Sequence, residues 1–360
     1  MAFSKSKTFD ANYLPGFDSH PIIAYIWITL VSIGGCMGLV FDTLHPDIYH
    51  GHGKKAPFFE GWYFKLVSAD QQQRYAIIPG VVLSGEPHAF LQVLNGVSGK
   101  SVYFEFPLDV FKAERERFDI QIGRNRFSAQ SIALDVNMDA GVVKGELAFD
   151  GPHPWPVTWA SPGIMGWYAW VPFMECYHGI VSFDHAISGE LTIDGHLIDF
   201  SGGRGYIEKD WGQSFPEAYI WFQANHFDAP AACITASVAL IPSLGTVFPG
   251  FIVGLWLDGR LYRFATYTGA KLEKLTVSDT QVFWALSDRN HRLEMRAHRA
   301  EGGLLKVPTK LDMGKRVDES LKSSVDVRLT TRSGRVLFES TGRHAGLEVF
   351  NHEKLLKMVK

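Results

Sequence analysis

The sequence predicts an all-β protein, an antiparallel barrel or a pair of barrels, and three observations carry that expectation. Short strand-like runs are separated by two-residue turn signals, no βαβ spacing occurs, and aromatic residues and glycine are abundant. Among 360 residues there are 26 Phe, 12 Tyr, 10 Trp and 35 Gly, a mixture suited to twisted, curved sheet round an apolar interior. Hydrophobic residues make up 46% and charged residues 20%, a globular and not a disordered composition. The net charge of -3 gives no basic surface for nucleic acid. Cys36, Cys176 and Cys233 lie far apart with no CxxC, which excludes a thiolate zinc site and a dense disulfide framework.

Residues 21–41, PIIAYIWITLVSIGGCMGLVF, contain no charge and match the length of a bilayer core. Three readings compete: a membrane anchor, a targeting segment, or upstream sequence before a true start at Met37. Anchoring is preferred, because random upstream sequence seldom gives so long an uncharged run. It would make the protein membrane-associated through one N-terminal helix. A start at Met37 would make it soluble and cytoplasmic.

The strands follow in order. FFEGWYFKLV at 58–67 is dense in aromatic and β-branched residues, and 75–83, 90–93 and 101–106 read similarly. Three hairpins carry turn residues at their tips: Asp194-Gly195, Asp258-Gly259 and Ser333-Gly334. In the last of them Val325, Val327 and Leu329 alternate with polar residues, the mark of a half-buried strand. A short helix is expected over 351–358, with Asn351 as cap. The turn- and proline-rich stretch 151–172 suggests a division into an apolar segment at 1–41, a first barrel at 42–170 and a second at 171–360.

Two segments hold chemistry. If FEGWYF is a strand, Glu60, Trp62 and Phe64 share one face, which sets an acid beside an indole. GYIEKDWG at 205–212 packs Glu208, Lys209 and Asp210 between aromatics, and AYIWFQAN follows at 218–225. Charges so placed are costly to bury unless paired. The plain alternative is a core strand with a satisfied Glu60, and a tight EKDWG turn held by a local Lys–carboxylate pair. His50-Gly51-His52 reads as a surface turn, and Gly202-Gly203-Arg204-Gly205 lacks the context of a phosphate loop.

Together HPDIYHG (45–51), FFEGWYFKLV (58–67), GYIEKDWGQSFPEAYIWFQANHF (205–227) and GLEV (346–349) resemble the tocopherol cyclase family. The resemblance implies two lipocalin-like antiparallel β-barrels, an architecture shared with carotenoid hydratase-like and AttH-like proteins. It implies a cyclase that closes a prenylated hydroquinone to a chromanol, with no cofactor and no metal. It also implies Asn in plant members at the position of Asp210, which favours Glu60 or Glu208 over Asp210 as the proton donor. Trp62, Trp211 and Trp221 are then the walls that stabilise the cation. Tyr63, Tyr206, Tyr219, Gln223 and Asn225 are the groups that orient the ring. The expected partner is a hydrophobic prenylquinol, met at a membrane. Two other classes stay open: a non-catalytic carrier of a quinone or isoprenoid, and an enzyme that hydrates an isoprenoid alkene. Oligomeric state is not legible.

Overall fold

The computed structural model describes residues 36–359 apart from 173, 229–231 and 244–245. From the amino end come α1 (Cys36–Leu44), β1 (Phe59–Val67), β2 (Arg74–Val82), β3 (His88–Asn95), β4 (Ser101–Pro107), β5 (Phe111–Ala113), β6 (Asp119–Ile122), β7 (Asn125–Ser128), β8 (Ser131–Met138) and β9 (Gly141–Asp150). A short ladder of β10 (Val157–Thr158) and β11 (Ser161–Pro162) precedes a 3-10 segment (Gly163–Trp170) and then β12 (Cys176–Ile193), β13 (His196–Asp199) and β14 (Gly203–Gly212). The rest of the chain is β15 (Tyr219–Ala224), β16 (Ala232–Ser243), β17 (Thr246–Leu257), β18 (Arg260–Ala265), β19 (Lys271–Val277), β20 (Gln281–Ser287), β21 (His291–His298), β22 (Gly303–Val307), β23 (Lys315–Thr331), β24 (Val336–Phe350) and α2 (His352–Met358).

Two large antiparallel sheets result, both within the unit Thr43–Lys360. The first runs β4-β3-β2-β1-β14-β12-β9-β8-β7-β6-β5, with β13 on β12. Its end strands, β4 and β5, are consecutive in the chain and joined by one 3-10 turn, so the sheet rolls round a single core. Phe64, Ile77, Leu91, Phe127, Leu147 and Ile207 fill that core. The second runs β18-β17-β16-β15-β24-β23-β21-β20-β19 and rolls up in the same way round Phe222, Val253, Trp284, Leu293 and Val327. A third apolar cluster joins the outer faces of the two sheets, with Tyr63, Phe183 and Tyr206 from the first and Tyr219, Trp221 and Leu321 from the second. β1 and β14 are therefore covered on both faces. This is why almost every residue of both strands is buried, several charged ones included.

The change of sheet falls between Gly212 and Tyr219, beyond the 170/171 division suggested by the prolines. The reason is long-range pairing: β14 returns to lie beside β1, which preceded it by over a hundred residues. The hairpins form where expected, with positive φ at Asp194 and Gly195 and again at Asp258 and Gly259, as a type I′ turn requires. Val325, Val327 and Leu329 are buried in alternation. α2 also forms, but Asn351 takes a left-handed conformation and makes no side-chain cap. Its amide instead donates to the Glu217 carbonyl at 2.9 Å. The expected membrane span at 21–41 lies outside the described residues except for 36–41, which open α1. No helix among the described residues is long and apolar enough to cross a membrane.

Candidate functional site

The antiparallel register of β1 and β14 sets Tyr63 opposite Glu208, Trp62 opposite Lys209 and Glu60 opposite Trp211. Because side chains alternate, this ladder sorts the candidate residues into two compartments. Glu60, Trp62, Lys209 and Trp211 point into the first sheet's interior. Tyr63, Lys65, Tyr206, Glu208 and Asp210 point out toward the second sheet.

The interior group is a closed ion-pair network. Lys209 Nζ lies 2.6 Å from Glu60 Oε1, and both side chains are fully buried. The ammonium also donates to the Ile48 carbonyl and sits 2.7 Å from His50 Nδ1. The His50 backbone amide donates to both Glu60 oxygens, at 3.1 and 2.9 Å. Trp62 and Trp211 flank the ammonium at 5.2 and 4.5 Å, and the His50 ring stacks on Trp211 at 4.4 Å. The network ties the loop at 45–51 to the sheet. It corrects two expectations. EKDWG is strand and not turn, so Lys209 faces away from Glu208 and Asp210 and pairs with Glu60. His50 belongs to this network and not to a surface turn.

The inter-sheet group is acidic and aromatic. Glu208 is 4% exposed. The Tyr206 hydroxyl donates to its Oε2, and Trp221 Nε1 donates to the same oxygen at 3.2 Å. Oε1 is left to carry a proton. Burial raises this carboxyl, the Asp210 and Glu348 charges add to the rise, and the nearby imidazole and the tyrosine bond only partly oppose it; it stands at about 8. His178, on β12, places Nδ1 2.8 Å from Asp210 Oδ1 and Nε2 3.8 Å from Glu208 Oε2. Burial would lower the imidazole, but the two carboxyls outweigh burial and carry it to about 9. At neutral pH the cluster is thus an imidazolium paired with Asp210, beside a protonated Glu208.

Second-sheet strands close the site. The Tyr219 hydroxyl donates to Glu348 Oε2 at 2.6 Å, and Tyr63 donates to Glu319 Oε1. Tyr63 and Trp221 meet edge to face with centroids 5.5 Å apart. A Cβ on Gly346 would lie 2.8 Å from the Trp221 ring, so that glycine makes room for the indole. Gly346→Ala should therefore cost about 1–3 kcal/mol by overpacking and alter the near-UV tryptophan signal. Unchanged stability and spectrum would show that the ring has slack.

Gln223 and Asn225 lie further along the same face. Gln223 Oε1 accepts from Lys65 Nζ at 2.8 Å, and burial lowers that lysine to about 7. Asn225 Nδ2 donates to Asp184 Oδ1 at 2.9 Å. His178, Glu319 and Glu348 were not singled out in the sequence. One available signal was Glu348, a lone carboxylate in the apolar run AGLEVF at 345–350.

His178, Glu208 and Asp210 bring ligand atoms within 4.8 Å of one another and could hold a metal ion. As they stand, His178 and Asp210 are within hydrogen-bond distance at 2.8 Å, whereas the 3.8 Å from His178 to Glu208 is an electrostatic contact and not a hydrogen bond.

The raised groups set a pH dependence of stability. Folded Glu208 keeps its proton to about 8 while an unfolded glutamate loses it near 4.5, so stability declines as pH rises across that window. His178, raised from 6.5 to about 9, acts in the same direction. His185 and His226, lowered to about 3 and about 2, act oppositely but only below 6.5, while Lys65, lowered from 10.5 to about 7, opposes the decline above 7 and Glu348, raised to about 7, adds to it below that. The melting temperature should consequently fall between pH 6.5 and 8.5, and less steeply in Glu208→Gln. A flat or rising wild-type curve would count against these shifts.

Two rolled antiparallel sheets, with buried carboxyls and aromatic rings packed between them, define an all-β class of protein whose candidate site lies between the sheets. The family described as tocopherol cyclase-like matches residues 153–350, and the chain belongs to that family. The match includes β12, β14, β15, β23 and β24; the FFEGWYFKLV strand lies outside it. Among curated proteins, a probable chloroplastic tocopherol cyclase of Oryza sativa subsp. japonica is 29% identical over 212 residues, 54% of this chain and 43% of the relative. The chloroplastic tocopherol cyclase of Zea mays is 30% identical over 154 residues, 40% of this chain and 31% of the relative. The matches thus span less than half the length of either plant protein. Among solved structures, CghA superposes with a TM-score of 0.53 at 12% identity, over 82% of this chain and 89% of that one, which shows a shared fold.

Proposed function

We propose that this protein closes a prenylated hydroquinone to a chromanol, with Glu208 as the proton donor. The observation that carries the reading is a carboxyl kept protonated near neutral pH, hydrogen-bonded to Tyr206 and Trp221 and walled by aromatic rings. Proton transfer from Glu208 to the nearest trisubstituted alkene places positive charge on the tertiary carbon. The Trp221 and Tyr63 rings stabilise it, each by roughly 0.5–2 kcal/mol. The phenolic oxygen adds to that carbon, the phenol loses its proton, and the product is an isomer of the substrate. No electrons change hands, so the reaction calls for no redox cofactor. Dry walls matter, because water would trap the cation as an alcohol. The His178–Asp210 pair keeps a positive charge beside Glu208 that favours the carboxylate left after protonation. Prenylquinols partition into lipid, and the apolar residues 21–41 would hold the protein there.

The test is incubation of purified protein with a phytylated hydroquinone under reducing conditions, followed by mass spectrometry and chiral separation. A product of unchanged mass with one enantiomer in excess supports the cyclase. A product one water heavier points to hydration, and bound but unaltered quinol points to a carrier. Either outcome, or neither binding nor turnover, would overturn the reading.

A further inference from the structure

Two carboxyls that the donor step does not use stand opposite each other on the outer face of the second sheet, toward the first. Glu319 on β23 and Glu348 on β24 are register partners, and Trp221 on β15 is the other neighbour of Glu348. They are 0% and 8% exposed. Each receives a tyrosine hydroxyl, Tyr63 on Glu319 and Tyr219 on Glu348. Glu319 Oε2 is buried with no hydrogen-bond partner. Neither carboxyl has a lysine or arginine in ion-pair contact among the described residues. Lys65 and Glu208 act on Glu319 from a distance, and Asp210, Asp318 and Lys315 act on Glu348. Burial, and after it the Glu348 charge, hold Glu319 well above the usual carboxylate range, so the two do not ionise together and Glu348 is the one that gives up its proton first. A carboxylate buried without a cation is a proton acceptor awaiting a donor.

We infer that the Glu319–Glu348 pair is the base of the reaction, taking the phenolic proton while Glu208, hydrogen-bonded to Trp221, delivers the other. The inference rests on the cyclase reading above. The balance is complete: Glu208 loses a proton to the alkene carbon, the phenolic oxygen bonds the tertiary carbon, and the O–H proton passes to the ionised carboxylate of the pair. One proton enters and one leaves, and the resting state is restored when a proton returns from the pair to Glu208. Trp221 adjoins both, hydrogen-bonded to Glu208 and paired in register with Glu348, and its ring is the wall offered to the cation.

The experiment is the pH–rate profile of the full-length protein on a phytylated hydroquinone, for wild type, Glu319→Gln, Glu348→Gln and Tyr219→Phe. Wild type should give a bell. Its rising limb, near 7, reports the pair, for burial lifts Glu348 to about that value against the opposing tyrosine bond. Its falling limb, near 8, reports Glu208. Glu348→Gln should lose about 10²–10⁴ in rate and the rising limb with it. The deficit should shrink with a fluorinated, more acidic hydroquinone, which needs less base. Tyr219→Phe keeps the carboxyl and removes the bond that stabilises its charge, so its rising limb should move to higher pH. A variant that fails to fold is recognised by circular dichroism, and the Tyr219→Phe profile then decides. Active wild type with unshifted limbs and full rates in the pair variants would overturn the base while leaving the cyclase. Inactive wild type would overturn both.

Discussion

Glu208→Gln should lower the cyclisation rate by about 10²–10⁴-fold, the range expected when a positioned general acid is removed, or about 3–5 kcal/mol in the barrier. The substitution keeps size and shape. The amide oxygen can still accept from Tyr206 and Trp221, so the hydrogen bonds at Oε2 survive in kind. What is lost is a proton acidic enough to transfer to carbon. The fold should persist, since a neutral amide is cheaper to bury than an ionisable carboxyl. Residual rate should also lose the falling limb near pH 8. Single-turnover rates on a phytylated hydroquinone, with circular dichroism as the folding control, make the test. Full activity in this variant would remove Glu208 as the donor. Loss of activity with loss of fold would assign it to structure instead.

Lys209→Met should cost about 3–5 kcal/mol of stability, the penalty for stranding one member of a buried ion pair. Glu60 would remain fully buried with the His50 amide and imidazole but without its ammonium partner. The cation between Trp62 and Trp211 would go as well, and with it the tether to the Ile48 carbonyl. The urea midpoint should fall with little change of slope. Removing both charges in Glu60→Gln/Lys209→Met should recover much of the loss, because the uncompensated charge and not the missing contact dominates. A single-variant cost below about 1 kcal/mol would mean that the pair is effectively solvated. The two experiments separate the two acids flagged by their aromatic surroundings: Glu60 should govern stability, and Glu208 should govern turnover.

Much of the fold was legible because its signals are local. Asp194-Gly195 and Asp258-Gly259 turn the chain by their own backbone preferences. Val325, Val327 and Leu329 declare a buried face by alternation alone. Even the shared face of Glu60, Trp62 and Phe64 followed from the period of a strand. The candidate site was only half legible. Tyr63, Tyr206, Glu208, Asp210, Tyr219 and Trp221 were named and do meet between the sheets. Glu60, Trp62 and Trp211 were grouped with them because acids among aromatics look alike in sequence, although they face the other side of the same ladder. His178 was passed over because a histidine in ECYHGIVSF carries no signal until β12 lies against β14 and brings it to Asp210. Glu319 stood in a polar-looking stretch, KRVDESLKSS, whose long strand faces the inter-sheet space only at some positions.

The sequence by itself determined the all-β class, the positions of the tight hairpins, the alternation within each strand, and the likeness to tocopherol cyclases through its aromatic–acid segments. These depend on neighbours a few residues apart. Tertiary structure alone decided that β14 returns to β1, that the sheets change after Gly212, and which acid sits in which compartment. Alternation states which side chains share a face but not what that face is pressed against. Glu60 meets its ammonium only because β14 returns to β1 from more than a hundred positions away, and Glu208 is left protonated only because β12 and β15 are folded against its strand.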